Sequence, residues 1–126
     1  MKKSFLSEQA KEFRSKYKIK NSISRDSRAY QKNLIAEEFN EFVEADDDMF
    51  RVGSPPKEAC LKELADLVYV CYQYAENQGW FLDEALDRVH KSNLSKLGAD
   101  GKPIYREDGK VLKGPGYKPP DLSDLF

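Results

Sequence analysis

Leu61-Lys-Glu-Leu-Ala-Asp-Leu-Val-Tyr-Val-Cys-Tyr-Gln-Tyr-Ala75 is apolar almost all the way round a helix, yet it carries Glu63 and Asp66 three residues apart. At about 100° per residue, Leu64, Ala65, Leu67, Val68, Val70, Cys71 and Ala75, with Tyr69, Tyr72 and Tyr74, leave no wide polar face. That predicts a central helix buried on every side. Its two acids then cannot both reach water, and Lys62 is the only base in the stretch. A buried unpaired carboxylate neutralises, pairs with a base or binds a metal.

Upstream, Leu34 to Ala45 repeats the arrangement. Leu34, Ile35, Phe39, Phe42 and Ala45 form one arc, with Glu38 inside it and Glu41 at its edge, while Glu37, Asn40 and Glu44 project to the solvent side. Two helices thus bring Glu38, Glu41, Glu63 and Asp66 towards one place, which is the pattern of a divalent metal site. All-oxygen ligation favours Mg2+, with Mn2+ as a substitute, over zinc or iron, and Mg2+ usually arrives with a substrate's phosphates. A di-iron carboxylate site is excluded because it needs a Glu-x-x-His on each of two helices, and the chain has a single histidine, His90. No Gly-rich phosphate loop is present: Gly109 to Gly116 lacks the spacing and the closing Lys-Ser/Thr.

The rest of the chain supports an all-α fold of the four-helix-bundle type with a short C-terminal hairpin and extended tail. At 126 residues it is long enough for one core, which we divide into a helical catalytic region, 1–98, and a hairpin and tail of the same domain, 99–126. A net charge of -1 with 34% charged residues argues against nucleic acid as a general partner. No apolar run approaches the roughly 18 to 20 residues of a membrane span, and the first residues lack the apolar stretch of a signal peptide. The expected location is the cytoplasm. Cys60 and Cys71, about 16 Å apart along one helix, are too far separated for a disulfide.

Taken in order, Ser4 is placed to cap a first helix with Leu6, Ala10, Phe13 and Tyr17 on one face, ending near Lys18. After a polar turn, Ser27 to about Asp46 reads as the second helix, and Asp46-Asp47-Asp48 as a solvated loop, because acids at a helix C-terminus oppose its dipole. Ser54-Pro55 marks the start of the third helix and Gly79 its end. Phe81 to Lys96 forms the fourth, with Leu82, Leu86 and Val89 in a stripe that continues onto Asn93. An amide there is either a buried bridge or a ligand contact. His90 reads as a partly exposed side chain without chemistry. Beyond Gly98, Asp108-Gly109 predicts a tight turn between Lys102-Pro-Ile-Tyr-Arg106 and Lys110-Val-Leu-Lys113. The basic tail is either a solubilising appendage or a clamp for phosphates or a neighbouring subunit, with Ile104, Tyr105 and Leu112 as apolar anchors.

These motifs resemble the MazG family of all-α NTP pyrophosphohydrolases, whose mark is E-x-x-E followed after a gap by E-x-x-D. Here it stands as Glu38-x-x-Glu41 and Glu63-x-x-Asp66, with Val89-His-Lys-Ser-Asn93-Leu-Ser-Lys96 resembling the family's nucleotide-contacting segment and residues 100–117 resembling the small bacteriophage type. The resemblance implies hydrolysis of a (d)NTP between the α and β phosphates, releasing the monophosphate and pyrophosphate. It assigns the metal to Glu38, Glu41, Glu63 and Asp66, and leaves a carboxylate to orient water, for which Glu38 and Glu41 are the candidates and Glu41, nearer solvent, is preferred. Lys91, Asn93 and Lys96 become contacts to phosphate or sugar. Tyr69, Tyr72, Trp80 and Phe81 offer faces for a base, which inclines the reading towards purine dNTPs such as dGTP. A homo-oligomer is expected, as a tetramer of two dimers or as a dimer. Two alternatives stand: a phosphoribosyl-ATP pyrophosphohydrolase, and a non-catalytic helical interaction module.

Overall fold

Three helices form the first of two units, which ends at Trp80, and the second runs from Phe81 to Phe126. The computed structural model describes residues 5–51 and 57–126. In the first unit α1 is Leu6–Lys16, α2 is Arg25–Met49 and α3 is Lys57–Gln78, with α3 packed against both others. The second unit holds α4, Leu82–Leu94, and an antiparallel pair, β1 (Ile104–Tyr105) and β2 (Val111–Leu112). The all-α fold with a small hairpin is as expected. Among the described residues no helix is long and apolar enough to cross a membrane.

The helix ends have local causes. Lys18 adopts φ 56° and lets Ile19 donate its N–H to the Arg14 carbonyl at 2.8 Å, closing α1. Ser24, rather than a residue nearer Ser27, starts α2: its hydroxyl accepts from the Ser27 N–H at 3.1 Å. Gly79, at φ 77°, ends α3 as expected. Ser4 and Ser54-Pro55, proposed as starts of α1 and α3, lie outside the described residues.

A buried polar staple sets how these helices meet. Asn77 is 2% exposed and uses all its hydrogen-bonding capacity. Its amide donates to the Ser22 carbonyl (2.8 Å) and Ser27 Oγ (3.1 Å), while its carbonyl accepts from the Ser22 N–H (2.9 Å) and Arg14 Nη2 (3.0 Å). Arg14 also donates to Gln73 Oε1 at 3.2 Å and Asn21 Oδ1 at 2.8 Å. One residue of α3 thereby ties α1, the connecting loop and the start of α2 together.

Several expectations are corrected. The third helix is not buried on every side: Leu61 is 67% exposed, and Leu64, Val68 and Tyr69 are also open. An 11-residue α1 is half the length of the 22-residue α3 and cannot cover its outer face. Phe39 likewise faces solvent. Asp46, Asp47 and Asp48 are not a loop but the last turn of α2, where solvent screens them and Asp48 pairs with Arg51 at 2.9 Å. On α4 the expected stripe is displaced: Leu86 and Asn93 are exposed and Ser92 is buried. The inner line of α4 is instead taken by the chain's own end. Ser92 Oγ donates to the Lys118 carbonyl at 2.7 Å, and Arg88 forks onto Asp124 at 2.5 and 3.2 Å while reaching the Asp121 carbonyl at 2.9 Å. Partners made of backbone carbonyls leave no mark on hydrophobic periodicity. Ile104, Tyr105 and Leu112 are exposed, so the tail's anchors are Leu125, which is buried, and Gly114. Gly114 donates to the Lys96 carbonyl at 2.7 Å so closely that a Cβ would lie 2.7 Å from that same oxygen.

Removing the staple should be costly, because the charged Arg14 and the Ser22 amide lose a buried partner together. Asn77→Ala is expected to lower the unfolding free energy by about 2–4 kcal/mol, measured by urea denaturation. A loss below about 0.5 kcal/mol, the ordinary surface range, would remove this role.

Candidate metal centre

From the Ser27–Asn77 bond, α2 and α3 run antiparallel until Glu38 and Glu41 meet the acids of α3. One carboxylate oxygen each from Glu38, Glu41 and Glu63 lies within 4.8 Å of the others. The helical phase read from the sequence holds here: Glu38 and Glu63 are half-buried, Glu41 is exposed, and Glu37, Asn40 and Glu44 face solvent. Asp66 is outside this set of three. Its Oδ2 is 2.7 Å from Lys62 Nζ, which is also 3.6 Å from Glu63 Oε1.

The cluster is electrostatically unfinished. Glu38 Oε2 and Glu63 Oε2 are buried and have no hydrogen-bond partner. Burial pushes the Glu38 carboxyl above its ordinary 4.5, and its hydrogen bond with Glu41 and the charges of Glu41, Asp66 and Glu63 push in the same direction. Burying two carboxylate oxygens without a partner inside one acidic cluster sets like charges together where solvent screens them poorly. A hard divalent cation satisfies both needs at once, so the donor set fits Mg2+ or Mn2+.

On the opposite face of α3, Leu64, Ala65, Val68 and Tyr72 line an apolar groove of about 390 Å³ together with Leu6 and Ala10 of α1. The central helix therefore has an acidic side towards α2 and an apolar side away from it. Of the proposed base-stacking residues, Tyr72 is buried, Tyr69 meets Phe13 edge-on at 5.6 Å, Trp80 meets Tyr74 at 5.9 Å, and Phe81 is exposed.

The family model of phosphoribosyl-ATP pyrophosphohydrolase matches residues 3–93, which takes in both acidic motifs and most of α4. The chain belongs to that family. It is a family of pyrophosphohydrolases, enzymes acting on acid anhydrides, within the MazG-like all-α NTP pyrophosphatase superfamily. No individual curated protein matches the chain. Lys91, Asn93 and Lys96 belong to the second unit. There Lys91 pairs with Asp87 at 2.8 Å, Asn93 is exposed, and Lys96 gives its carbonyl to Gly114. Asn93 as a buried bridge is thereby excluded. His90 is exposed. Cys60 and Cys71 are free, and burial pushes the Cys71 thiol up.

A pyrophosphohydrolase-family protein with such a cluster should reveal its repulsion in the pH dependence of the metal-free state. The folded protein holds the Glu38 proton above pH 4.5, where the unfolded chain releases it, so the stability from this group is lost as pH rises through the raised value. Without divalent ions the Tm is expected to fall as pH increases from that range, and Glu38→Gln to reduce the fall and raise the Tm at pH 8. Identical pH profiles for both proteins in calorimetry would rule this out.

Proposed function

We propose that this protein is a metal-dependent pyrophosphohydrolase that cleaves the α–β anhydride of a purine nucleoside 5′-triphosphate to the monophosphate and pyrophosphate. The observation that carries the reading is the pair of buried, partnerless oxygens on Glu38 and Glu63 inside a cluster of three carboxylates. When bound, Mg2+, or Mn2+ in its place, would supply charge neutralisation for the leaving pyrophosphate. Glu38, Glu63 and Asp66 would hold it, with Glu41 shared between that task and the water. Glu41 is the exposed member, so it can accept a hydrogen bond from a solvent water and take its proton as the water attacks the phosphorus. Lys91, Asn93 and Lys96 are proposed contacts to phosphate or sugar. The work lies in the cytoplasm, where nucleotide pools are.

Two substrates fit that class. The dNTP reading rests on the phage-type resemblance of residues 100–117, which fall beyond the family match. Phosphoribosyl-ATP, itself an adenine nucleotide, is supported by the family match over residues 3–93. Pyrophosphate release from phosphoribosyl-ATP and the common NTPs and dNTPs, with and without Mg2+, separates them: a purine compound is expected to have the highest kcat/KM, and a tenfold preference for dCTP or dUTP would overturn the purine assignment. Glu38→Gln and Glu63→Gln should each lower kcat by about a hundredfold or more, with Glu37→Gln and Glu44→Gln near wild type. No release from any of these with metal bound would leave a non-catalytic helical module.

Assembly is part of the proposal. The exposed side chains of Leu61, Leu64, Val68 and Tyr69 make one apolar face of α3, and a second copy of the chain is the proposed cover, in a dimer or a tetramer of two dimers. Light scattering is expected to give a multiple of 14.5 kDa, and Leu64→Glu with Val68→Glu to give the monomer. A wild-type monomer at micromolar concentration would sink the oligomer.

A further inference from the structure

Lys62 lies beside one metal-ligand candidate in sequence and one helical turn before another. Its ammonium is 2.7 Å from Asp66 Oδ2 and 3.6 Å from Glu63 Oε1, and its side chain is 66% exposed. The two carboxylates are less exposed, at 37% for Asp66 and 22% for Glu63, than the long flexible stem that brings the charge to them. Asp66, which makes this contact, stands apart from the three clustered acids. The ammonium sits on the carboxylate of the fourth proposed ligand.

We propose that Lys62 is the built-in counter-cation of the acidic cluster: in the metal-free protein it offsets one of the negative charges of Asp66 and Glu63, and it withdraws from Asp66 when a divalent ion binds. This rests on the metal reading above. A single positive charge on a solvated stem is replaced by a double charge among the same oxygens, and the displaced ammonium returns to water through its exposed end. Lys62 thus sets the metal affinity below what four carboxylates alone would give. Metal-free, it limits the repulsion in a cluster where Glu38 Oε2 and Glu63 Oε2 have no hydrogen-bond partner.

Calorimetric titration of the full-length metal-free protein with MnCl2 tests this, with thermal melting as a second readout. Lys62→Met is expected to bind Mn2+ about tenfold more tightly, to melt lower without metal, and to gain more in Tm on adding it. Lys62→Arg, which keeps the charge, and Lys57→Met, which removes one elsewhere on α3, should stay near wild type, and Lys62→Gln should follow Lys62→Met. Affinity unchanged within twofold in Lys62→Met, or weaker, overturns the proposal, the weaker result meaning that Lys62 orients Asp66 for the ion. Wild-type protein that takes no Mn2+ removes the metal reading and this inference together, whereas wild-type binding with no gain in Lys62→Met removes the inference alone.

Discussion

Asn77, saturated with hydrogen bonds at the far end of α3 from the acids, fixes the register on which the site depends. Two helices that meet through apolar side chains alone can slide by a turn at modest cost, since Leu and Val offer little direction. An amide with four hydrogen bonds to three residues on three different segments cannot, because any slip leaves buried donors and acceptors unpaired. Counting turns from Ser27 and Asn77 brings Glu38 and Glu41 opposite Glu63 and Asp66. The geometry of the acidic cluster is in this sense a consequence of a hydrogen-bonded staple several turns away.

The acidic cluster is the reverse case, a place where the fold tolerates repulsion. Glu38 is held above its ordinary pKa by burial and by its acidic neighbours, and two oxygens have no partner. Lys62, on the exposed side, pairs with Asp66 and lies 3.6 Å from Glu63 Oε1. Concentrating like charge on rigid helices is what makes a site selective for a doubly charged ion, because only such an ion converts the repulsion into attraction without rearranging the backbone.

The second unit is organised on another principle. Its helix is short and its hairpin small, and the order of its C-terminal residues comes from polar contacts to α4: the Arg88–Asp124 fork, the Ser92–Lys118 bond, and Gly114 against the Lys96 carbonyl. Only Asp124 uses a charged side chain of the tail here, Lys118 contributing its backbone carbonyl and Gly114 its N–H, yet a segment that reads as solubilising has a structural task. Lys113 lies over the Tyr117 ring at 4.8 Å, and Arg106 pairs with Asp108 across the turn.

The sequence by itself determined the helices, the turn at Gly109 and the sorting of acids on α2, because each depends on the periodicity of a single segment. Glu38 inside the arc, Glu41 at its edge and Glu37 outside it follow from 100° per residue and nothing more. Tertiary structure alone decided which apolar faces are covered. The all-round apolar reading of α3 could not say that a short α1 leaves Leu61 and Val68 open, since coverage depends on the length of a neighbour. The stripe of α4 pointed to Asn93, whereas Ser92 is buried, because its partner is a backbone carbonyl supplied 26 residues later. Asn77, Arg14 and Gln73 gave no signal of burial, as polar side chains are placed inside by partners distant in the chain. Asp66 shows the same division: spacing put it on the acidic face, but only the structure shows its carboxylate paired with Lys62 and outside the cluster of three.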